Sequence, residues 1–412
     1  MTHRIGSSTK VGPAPPAGQI HPHIETFTAS LAAQGYSSAT INTKGCLLRK
    51  LDRWFQRGRT GIHNFDEAAI EQFLRFRGSG GYIRPSDPAT LRSFLNHLRE
   101  KEILRYPVRR TDDSPLQKLQ ASFAQYLNEE RGLVQGTVQQ YLVETRRFLS
   151  ESFGTGCIRL DELHSDDIAE FIVRRSAAVS TSATQHAITA LRTLFRFLYQ
   201  RGDCRANLAA SIPSVASWSL AGLPKYLSDR DVELVLESCK GGSAEDQRDR
   251  AIMFLLARLG LRAGEIAQLT LDDINWDTGE LTIRGKGGSL SRLPILIDVG
   301  EALVAYLRHG RPQCSSRSVF IRLRAPRQGF TGGDAINRVV HVALKRAGLD
   351  PPVKGAHVLR HSLATRMLRG GASLPEVGQI LRHELPKTTA IYAKVDVAAL
   401  RALAPVWPGG EA

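Results

Sequence analysis

The stretch HVLRHSLATRML covers residues 357–368 and predicts a helix that carries two histidines and two arginines. His357 and Arg360 are three residues apart, so their side chains are neighbours on one face of that helix. The planar guanidinium of an arginine matches two phosphate oxygens and keeps its charge at physiological pH. The pair can therefore meet one phosphate group together.

The same helix offers a second interpretation, because His357 and His361 stand four residues apart, as two zinc ligands on a helix do. The glutamate of a zinc-protease helix is missing, since Val358 and Leu359 fill the positions after the first histidine. No further residues at metal-ligand spacing follow. We therefore expect no metal here and interpret His361 as a helix-packing residue.

Short motifs on both sides of this helix carry further groups that can act on a phosphate. In GLRAGE (260–265), Arg262 falls at the expected start of a helix, where backbone amides attract an anion. Glu265 lies on the same helix face and can orient the guanidinium of Arg262. The other groups are Lys286 in IRGKGG (283–288), His383 in LRHE (381–384) and Tyr392 in TTAIYAK (388–394).

Taken together, these residues suit the cleavage of a phosphodiester without a metal. Tyr392 offers a phenol that a neighbouring base and cations can activate. The arginines can cover the non-bridging oxygens, and Lys286 can protonate the departing 5′ oxygen. Taken singly, each motif has an ordinary alternative: a surface ion pair for Arg262, a flexible turn for Lys286 and a core side chain for Tyr392.

The N-terminal half contains two similar segments, 22–106 and 116–205, offset by about 96–100 residues. In both, apolar residues recur at spacings of three and four, which predicts two small helical bundles. Equivalent positions include Phe27 and Phe123, Gly35 and Gly132, Thr40 and Thr137, and Leu91 and Leu191.

The last helix of the second copy carries Arg192, Arg196 and Arg201 beside an apolar stripe. This basic face can lie along a DNA backbone, and the alternative is an ordinary solvated face. The whole chain has 412 residues, enough for two or three domains, and a formal net charge of +15. Such an excess favours a polyanionic partner, although a basic soluble enzyme remains the alternative.

The remaining segments complete the predicted organisation. Residues 1–21 are polar and rich in glycine and proline, without the apolar block of a signal peptide, and we expect them to be disordered. Residues 206–225 lack periodicity and predict a linker. From 226 to 402 we expect a catalytic domain that begins with a helix capped by Ser228, continues with a hairpin of GELTIR and SRLPILI around GKGG, and is helical from 300 onward.

The segment after Tyr392 is more apolar than a solvated tail, with Leu400, Leu403, Val406 and Trp407. It can dock on a neighbouring subunit or pack on its own domain, while 403–412 forms the C-terminal tail. No apolar run reaches the length of a membrane span. The five cysteines form no CxxC pair, so we expect a reduced, cytoplasmic protein.

In order, these residues resemble the signature of the tyrosine recombinases, or phage-type integrases, which include the Xer resolvases and many transposon-borne enzymes. The resemblance covers 116–402. The family pattern is Arg, Lys, His-x-x-Arg, His or Trp, and Tyr. Its matches here are Arg262, Lys286, His357, Arg360, His383 and Tyr392. The usual LGH before the tyrosine reads LRH, because Arg382 replaces the glycine.

The resemblance implies that Tyr392 forms a 3′-phosphotyrosyl link while a 5′-hydroxyl leaves, with no metal or other cofactor. It implies that 116–205 is a SAM-like core-binding domain, which forms a clamp around double-stranded DNA with the catalytic domain. It also implies a homotetramer on two sites that exchanges C-terminal tails, with partner recombinases left open. The bundle at 22–110 is an addition, for DNA binding or for another interaction.

The expected fold is therefore mainly α, with two duplicated helical bundles before a mostly helical α+β catalytic domain that holds a small antiparallel sheet. The expected function is site-specific DNA recombination. Two alternatives stay open: a catalytically silent DNA-binding accessory factor, and an enzyme that resembles type IB topoisomerases.

Overall fold

The protein is mostly helical, as predicted, in a computed structural model that describes seven ranges of the chain. Those ranges are 19–58, 61–106, 114–154, 158–204, 206–215, 224–285 and 288–395, without the side chains of Lys387 and Val395. The chain divides into two compact units. One is Tyr106–Gly222, and the other combines Met1–Arg105 with Leu223–Ala412. Lys286, most of the N-terminal segment predicted to be disordered and the apolar C-terminal tail lie outside the described residues.

The first bundle is built from amphipathic helices around a core of phenylalanines. Its helices are α1 (His21–Ala33), α2 (Ser38–Arg57), α3 (Glu67–Ser79) and α4 (Asp87–Glu100). Ser37 and Asp66 start α2 and α3 by accepting the backbone N–H groups of Thr40 and Ala69. Phe27 and Phe94 meet edge to face in the core with ring centroids 5.3 Å apart. This packing holds the exposed faces of the helices in fixed positions.

The second bundle repeats this plan, as the sequence predicted. Its helices are α5 (Pro115–Gln125), which continues in a wider turn over Tyr126–Glu130, α6 (Gln135–Phe153), α7 (Ser165–Ala178), α8 (Thr181–Arg201) and α9 (Leu208–Ser211). Phe123 is buried in its core as Phe27 is in the first. Gly35 and Gly132 both have positive φ, +82° and +58°, where glycine avoids the strain of a side chain.

The predicted linker begins too early. Leu208 and Ile212 are buried in the core of the second bundle, and Arg192 donates hydrogen bonds to the Ile212 carbonyl (2.9 Å) and to Ser214 Oγ (2.8 Å). The segment 206–215 therefore belongs to that bundle. A helix of one turn is too short to produce a periodic pattern, which is why the sequence did not reveal it.

The C-terminal region surrounds a large apolar core with helices and a small sheet. Its helices are α10 (Asp229–Glu237), α11 (Ala244–Leu259), α12 (Ala263–Gln268), α13 (Ile297–Ala305), α14 (Gly333–Arg346), α15 (Ala356–Arg369), α16 (Leu374–Ile380) and α17 (Pro386–Thr389), followed by a 3₁₀ turn over Ala390–Val395. The helix α11 runs through this core, and its Leu255 and Leu256 are fully buried. Ser228 caps α10 as predicted, because its side chain accepts the N–H of Asp231 at 3.1 Å.

The sheet has the predicted hairpin and one strand more. In the described part of the chain, β1 (Ile274–Asn275), β2 (Glu280–Arg284) and β3 (Leu290–Pro294) pair antiparallel in that order. Leu281 pairs with Ile274 on one side and with Leu293 on the other. The prediction of helix from 300 onward was wrong for 311–332, a non-helical stretch that pairs at isolated bridges such as Thr270 with Ser318.

Candidate active site

The end of α11 positions the first arginine of the site. The helix stops at Gly260, whose φ of +60° turns the chain sharply. A side chain there would be strained and would displace its neighbours, since a Cβ atom would lie 2.8 Å from Leu381 Cδ2 and 2.9 Å from Leu363 Cδ2. Arg262 follows as the N-cap residue directly before α12, at the start of a helix as the sequence predicted. Its side chain stays partly exposed to solvent.

Arg360 joins two loops of the site from the middle of α15. It is 4% exposed, and its two terminal nitrogens donate hydrogen bonds to the carbonyls of Gly260 and Leu381. Burial, together with the charges of Arg262 and Arg382, lowers the pKa of Arg360 to about 10. The guanidinium is still charged at neutral pH, so the site keeps a buried cation.

Glu265 holds two further guanidinium groups. Its Oε1 accepts Arg262 Nη1 at 2.7 Å, and its Oε2 accepts Arg382 Nη2 at 2.9 Å and the Arg262 backbone N–H at 2.9 Å. Burial opposes the ionisation of Glu265, but these donors outweigh it and lower its pKa. Arg360 lies close enough to repel both partners. Among these described groups, positive charge exceeds negative charge, which favours an anionic ligand.

The role of Arg382 was not predicted from the sequence, where it figured only as the replacement of a glycine. It has a φ of +54°, a left-handed conformation that glycine adopts without strain. Arg382 therefore adopts a conformation in which a glycine would be unstrained. The side chain of Arg382 provides a second ion-pair partner for Glu265, which offsets the strain of the left-handed backbone.

Tyr392 is buried within the site, and its hydroxyl contacts a histidine. The residue is 1% exposed and packs in a small apolar cluster with Leu363, Val377 and Leu381. Its hydroxyl lies 2.8 Å from His361 Nδ1. Burial raises the pKa of Tyr392 to about 12, although the charge of Arg360 opposes this shift. In this conformation the side chain of Tyr392 is a neutral, shielded phenol.

This contact corrects our interpretation of His361 as a helix-packing residue. The ring meets that of Tyr392 edge to face at 5.5 Å between centroids, and it lies 6.4 Å from the ring of His357. Burial lowers the pKa of His361, with repulsion from His357 and Arg360 adding to the effect. The spacing of the two histidines was the available signal, because residues four apart share a helix face.

The other two predicted histidines also lie at the site. The ring of His383 stacks parallel to that of Tyr392, 6.4 Å away, and its Nδ1 is 2.7 Å from Thr389 Oγ1. Burial, then repulsion from Arg360 and neighbouring cations, lowers its pKa to about 4, so it is neutral at physiological pH. The side chain of His357 reaches solvent, yet partial desolvation and the charges of Arg360 and Arg262 lower its pKa too.

Lys286 remains a prediction, since it lies outside the described residues. Among the described residues on either side of it, the Gly285 N–H donates to the Ser289 carbonyl at 2.7 Å. In the described ranges, no group of three or more His, Cys, Asp or Glu side chains is arranged to hold a metal ion. The same part of the chain contains no helix that is both long and apolar enough to cross a membrane.

The arginines predicted to bind DNA lie in the second bundle, and their environments differ. Arg192 is engaged by residues 212 and 214, as described above. Arg201 forms an ion pair with Asp203 at 3.1 Å and covers the ring of Phe197. Arg196 is exposed to solvent. Their contact with DNA stays a prediction, and it is most direct for Arg196.

Comparison with known proteins identifies the family. The model described as "Phage integrase family" matches residues 225–398, and the model "Phage integrase, N-terminal SAM-like domain" matches 121–202. A protein of Sinorhizobium fredii (strain NBRC 101917 / NGR234), named as a candidate integrase/recombinase y4rA, is 38% identical over 400 residues, which are 96% of each chain. The chain belongs to the phage integrase family of tyrosine recombinases.

Other members of the family agree in sequence or in fold. Tyrosine recombinase XerD of Mycobacterium tuberculosis (strain ATCC 25618 / H37Rv) is 33% identical over 307 residues, 70% of this chain and 96% of XerD. The recombinase XerH in its post-cleavage complex with a difH substrate has a TM-score of 0.55 at 21% identity, over 75% of this chain and 93% of XerH. A lambda integrase dimer bound to a core site has a TM-score of 0.53 at 17% identity, covering 71% and 98%.

These matches fit the predicted fold class: a SAM-like helical domain stands before a phage-integrase domain that contains the candidate site. The first bundle lies outside both matched ranges. Its equivalent in the y4rA protein falls within an alignment that covers nearly the whole chain.

Proposed function

We propose that this protein is a site-specific DNA recombinase, which cuts and rejoins DNA through a 3′-phosphotyrosyl intermediate. The observation that carries the proposal is the position of Tyr392. It lies among two histidines and an arginine, in a site where Arg262, Arg360 and Arg382 outweigh Glu265 in charge. Such a site is suited to a phosphodiester that is attacked by a phenol.

The proposed roles follow from the chemistry of each group. Arg262 and Arg360 bind the non-bridging oxygens and stabilise the charge of the transition state. The Tyr392 oxygen attacks phosphorus, and its proton passes to His357. The bond from phosphorus to the 5′ oxygen breaks, and Lys286 protonates the departing oxygen. His383 donates a hydrogen bond to the phosphate.

The second half of the reaction reverses the first. A 5′-hydroxyl from another strand attacks the phosphotyrosyl link, gives its proton to the lysine and releases Tyr392. The energy of the original bond is kept in the covalent intermediate, so no nucleotide cofactor is needed. Exchange of partners between two duplexes then yields a recombinant product.

Tyr392 must become accessible before it can attack. With 1% exposure, its hydroxyl is covered by the protein, so a DNA phosphate reaches it only after residues 390–395 move. We propose that DNA binding and assembly drive this movement. The positive charge of Arg360 beside the phenol then favours the phenolate.

Assembly is part of the same proposal. A lambda integrase tetramer bound to a Holliday junction shares this fold, with a TM-score of 0.53 at 18% identity. By analogy, four copies of this chain would hold two double-stranded sites and exchange the apolar segment after Tyr392. We place this reaction in the cytoplasm. Partner recombinases are not required by the proposal.

A nicked suicide substrate tests the proposal. Duplexes that tile the DNA beside the gene are incubated with wild-type protein, with Tyr392→Phe and with Tyr306→Phe, and are then separated on a denaturing gel. Tyr306 is a matched control, since its buried hydroxyl accepts the Ile321 N–H at 3.0 Å. We expect adducts from wild type and Tyr306→Phe only. Wild type that binds DNA without any adduct would indicate an accessory factor, and an adduct without joining of two duplexes would indicate a topoisomerase.

A further inference from the structure

The first bundle has a strongly basic face that no part of the proposed reaction uses. Lys50, Arg53 and Arg57 project from α2 at spacings of three and four residues, and all are exposed. Residues at this spacing form one stripe along a helix. The stripe borders two adjoining grooves of about 410 and 240 Å³. Both grooves are lined by Lys50 and by Arg77 from α3.

Most of the positive charge of this face is not neutralised by the described residues of the bundle. In the part of the bundle that the structure describes, Lys50, Arg53 and Arg57 form no ion pair with a carboxylate. Asp87 also lines the larger groove, but it is buried and bonded to Arg77 at 2.8 Å. A stripe of unpaired cations attracts a polyanion. Its spacing fits a regular array of negative charges.

The second bundle provides an internal comparison, because it has a groove in the equivalent place. The offset of 97 residues that relates Thr40 to Thr137 places Lys50 at Arg147 and Leu47 at Glu144. That groove, of about 490 Å³, is lined by Glu144. There Glu144 accepts hydrogen bonds from Arg147 at 3.1 Å and from Arg175 at 2.8 Å. The groove belongs to the shared fold, whereas its unpaired charge is particular to the first bundle.

Exposed aromatic side chains adjoin the same cations. Phe76 is 50% exposed and Tyr82 is 75% exposed, and each lines one of the two grooves. Trp54 supports Phe76, with ring centroids 6.5 Å apart. Apolar rings between cations suit a ligand whose charged phosphates alternate with sugars and bases.

We propose that this groove of the first bundle binds the sugar–phosphate backbone of duplex DNA. The contact is additional to those of the SAM-like and catalytic domains, and it rests on the proposed action on DNA. From Lys50 to Arg57 the helix rises by roughly 10 Å. One DNA strand presents about three phosphates over that length of the duplex. The three cations of the stripe therefore match successive phosphates of one strand.

Salt dependence of DNA binding tests the proposal in the full-length protein. The probe is a fluorescein-labelled duplex of random sequence, and Kd is measured across a KCl titration. The test variant is Lys50→Gln/Arg53→Gln/Arg57→Gln. The matched control is Arg92→Gln/Lys101→Gln/Arg105→Gln, which removes three exposed cations of the same segment that line neither groove.

Each lost phosphate contact lowers the slope of log Kd against log salt by about 0.9. We expect the test variant to lose about 2–3 units of slope and at least about tenfold in affinity at low salt. The control variant should keep the wild-type slope. Equal slopes for wild type and the test variant would overturn the proposal.

Cys46 gives a second readout of where the DNA lies, because its exposed thiol lines the larger groove. We expect the duplex to slow alkylation of Cys46 in wild-type protein but not in the test variant. Unchanged alkylation in wild type would contradict the proposed groove. The proposed function fails in a different way: wild type then shows the same salt dependence and protection but no adduct at Tyr392.

Discussion

The hydroxyl of Tyr392 lies 2.8 Å from Nδ1 of His361. This hydrogen bond satisfies a phenol that is otherwise enclosed by apolar side chains. It also keeps the proposed nucleophile one helical turn away from His357, which stands at the solvent side of the site. The structure therefore describes a resting state, in which the tyrosine has a partner that must be given up before reaction.

A double-mutant cycle measures this hydrogen bond. We expect His361→Phe and Tyr392→Phe to be coupled by about 0.5–1.5 kcal/mol in the free energy of unfolding, because each change removes the same contact. Urea denaturation of the two single variants and the double variant gives the coupling. His357→Phe with Tyr392→Phe is the control cycle. Coupling of equal size in both cycles would contradict a specific role for His361.

Loss of the Glu265 carboxylate leaves two arginines without their partner. We expect Glu265→Gln to lower the free energy of unfolding by about 3 kcal/mol, since Arg382 is almost fully enclosed and cannot recruit water instead. Glu233→Gln is the control, because Glu233 also receives two nitrogens of an arginine but at the surface. It should cost less than about 1 kcal/mol. Equal losses of stability in the two variants would contradict a larger contribution from the buried ion pairs of Glu265.

Two substitutions at Arg382 separate the effect of its left-handed backbone on stability from the effect of its side chain. Arg382→Gly and Arg382→Ala both remove the ion pair with Glu265, but only alanine keeps a Cβ atom at a φ of +54°. We expect the glycine variant to be more stable than the alanine variant by about 1 kcal/mol in thermal or urea unfolding. If alanine were equal or better, the backbone would not be strained there.

His383 makes stability depend on pH in a defined direction. Its pKa falls from the ordinary 6.5 to about 4 on folding, because it is buried and faces Arg360, Arg262, Arg382 and His361. Above pH 6.5 the ring is neutral in both states and contributes nothing. Between pH 6.5 and about 4 only the unfolded chain takes up the proton, so stability falls as the pH is lowered. We expect His383→Gln to make this decline shallower; an unchanged pH profile would refute it.

The sequence predicted the helical class, the repeat and the hairpin because each leaves a periodic signal. Phe27 and Phe123 recur at matching places, and the strands on either side of the glycine turn alternate. It also predicted the members of the site that the structure brings together: Arg262, His357, Arg360, His383 and Tyr392. Chemistry selects these residue types, so the types themselves are informative even before their distances are known.

What the sequence could not predict depends on contacts between distant residues. The ion pair of Arg382 with Glu265 joins positions 117 residues apart, and no local pattern marks it. The same is true of the hydrogen bond between His361 and Tyr392. The segment 206–215 was missed for a different reason, since its single helical turn becomes stable only when Leu208 and Ile212 are buried by the bundle.

Arg360 binds its two loops through the carbonyl groups of Gly260 and Leu381. Every residue has a main-chain carbonyl, so a substitution at Gly260 or Leu381 does not remove the acceptor of the hydrogen bond from Arg360. Only a change in bulk at these positions, or the loss of Arg360 itself, can separate the loops that carry Arg262 and His383. Arg360 is therefore the one side chain on which these two hydrogen bonds depend. The residues that supply the carbonyls can be replaced by others of similar size without loss of the hydrogen bonds.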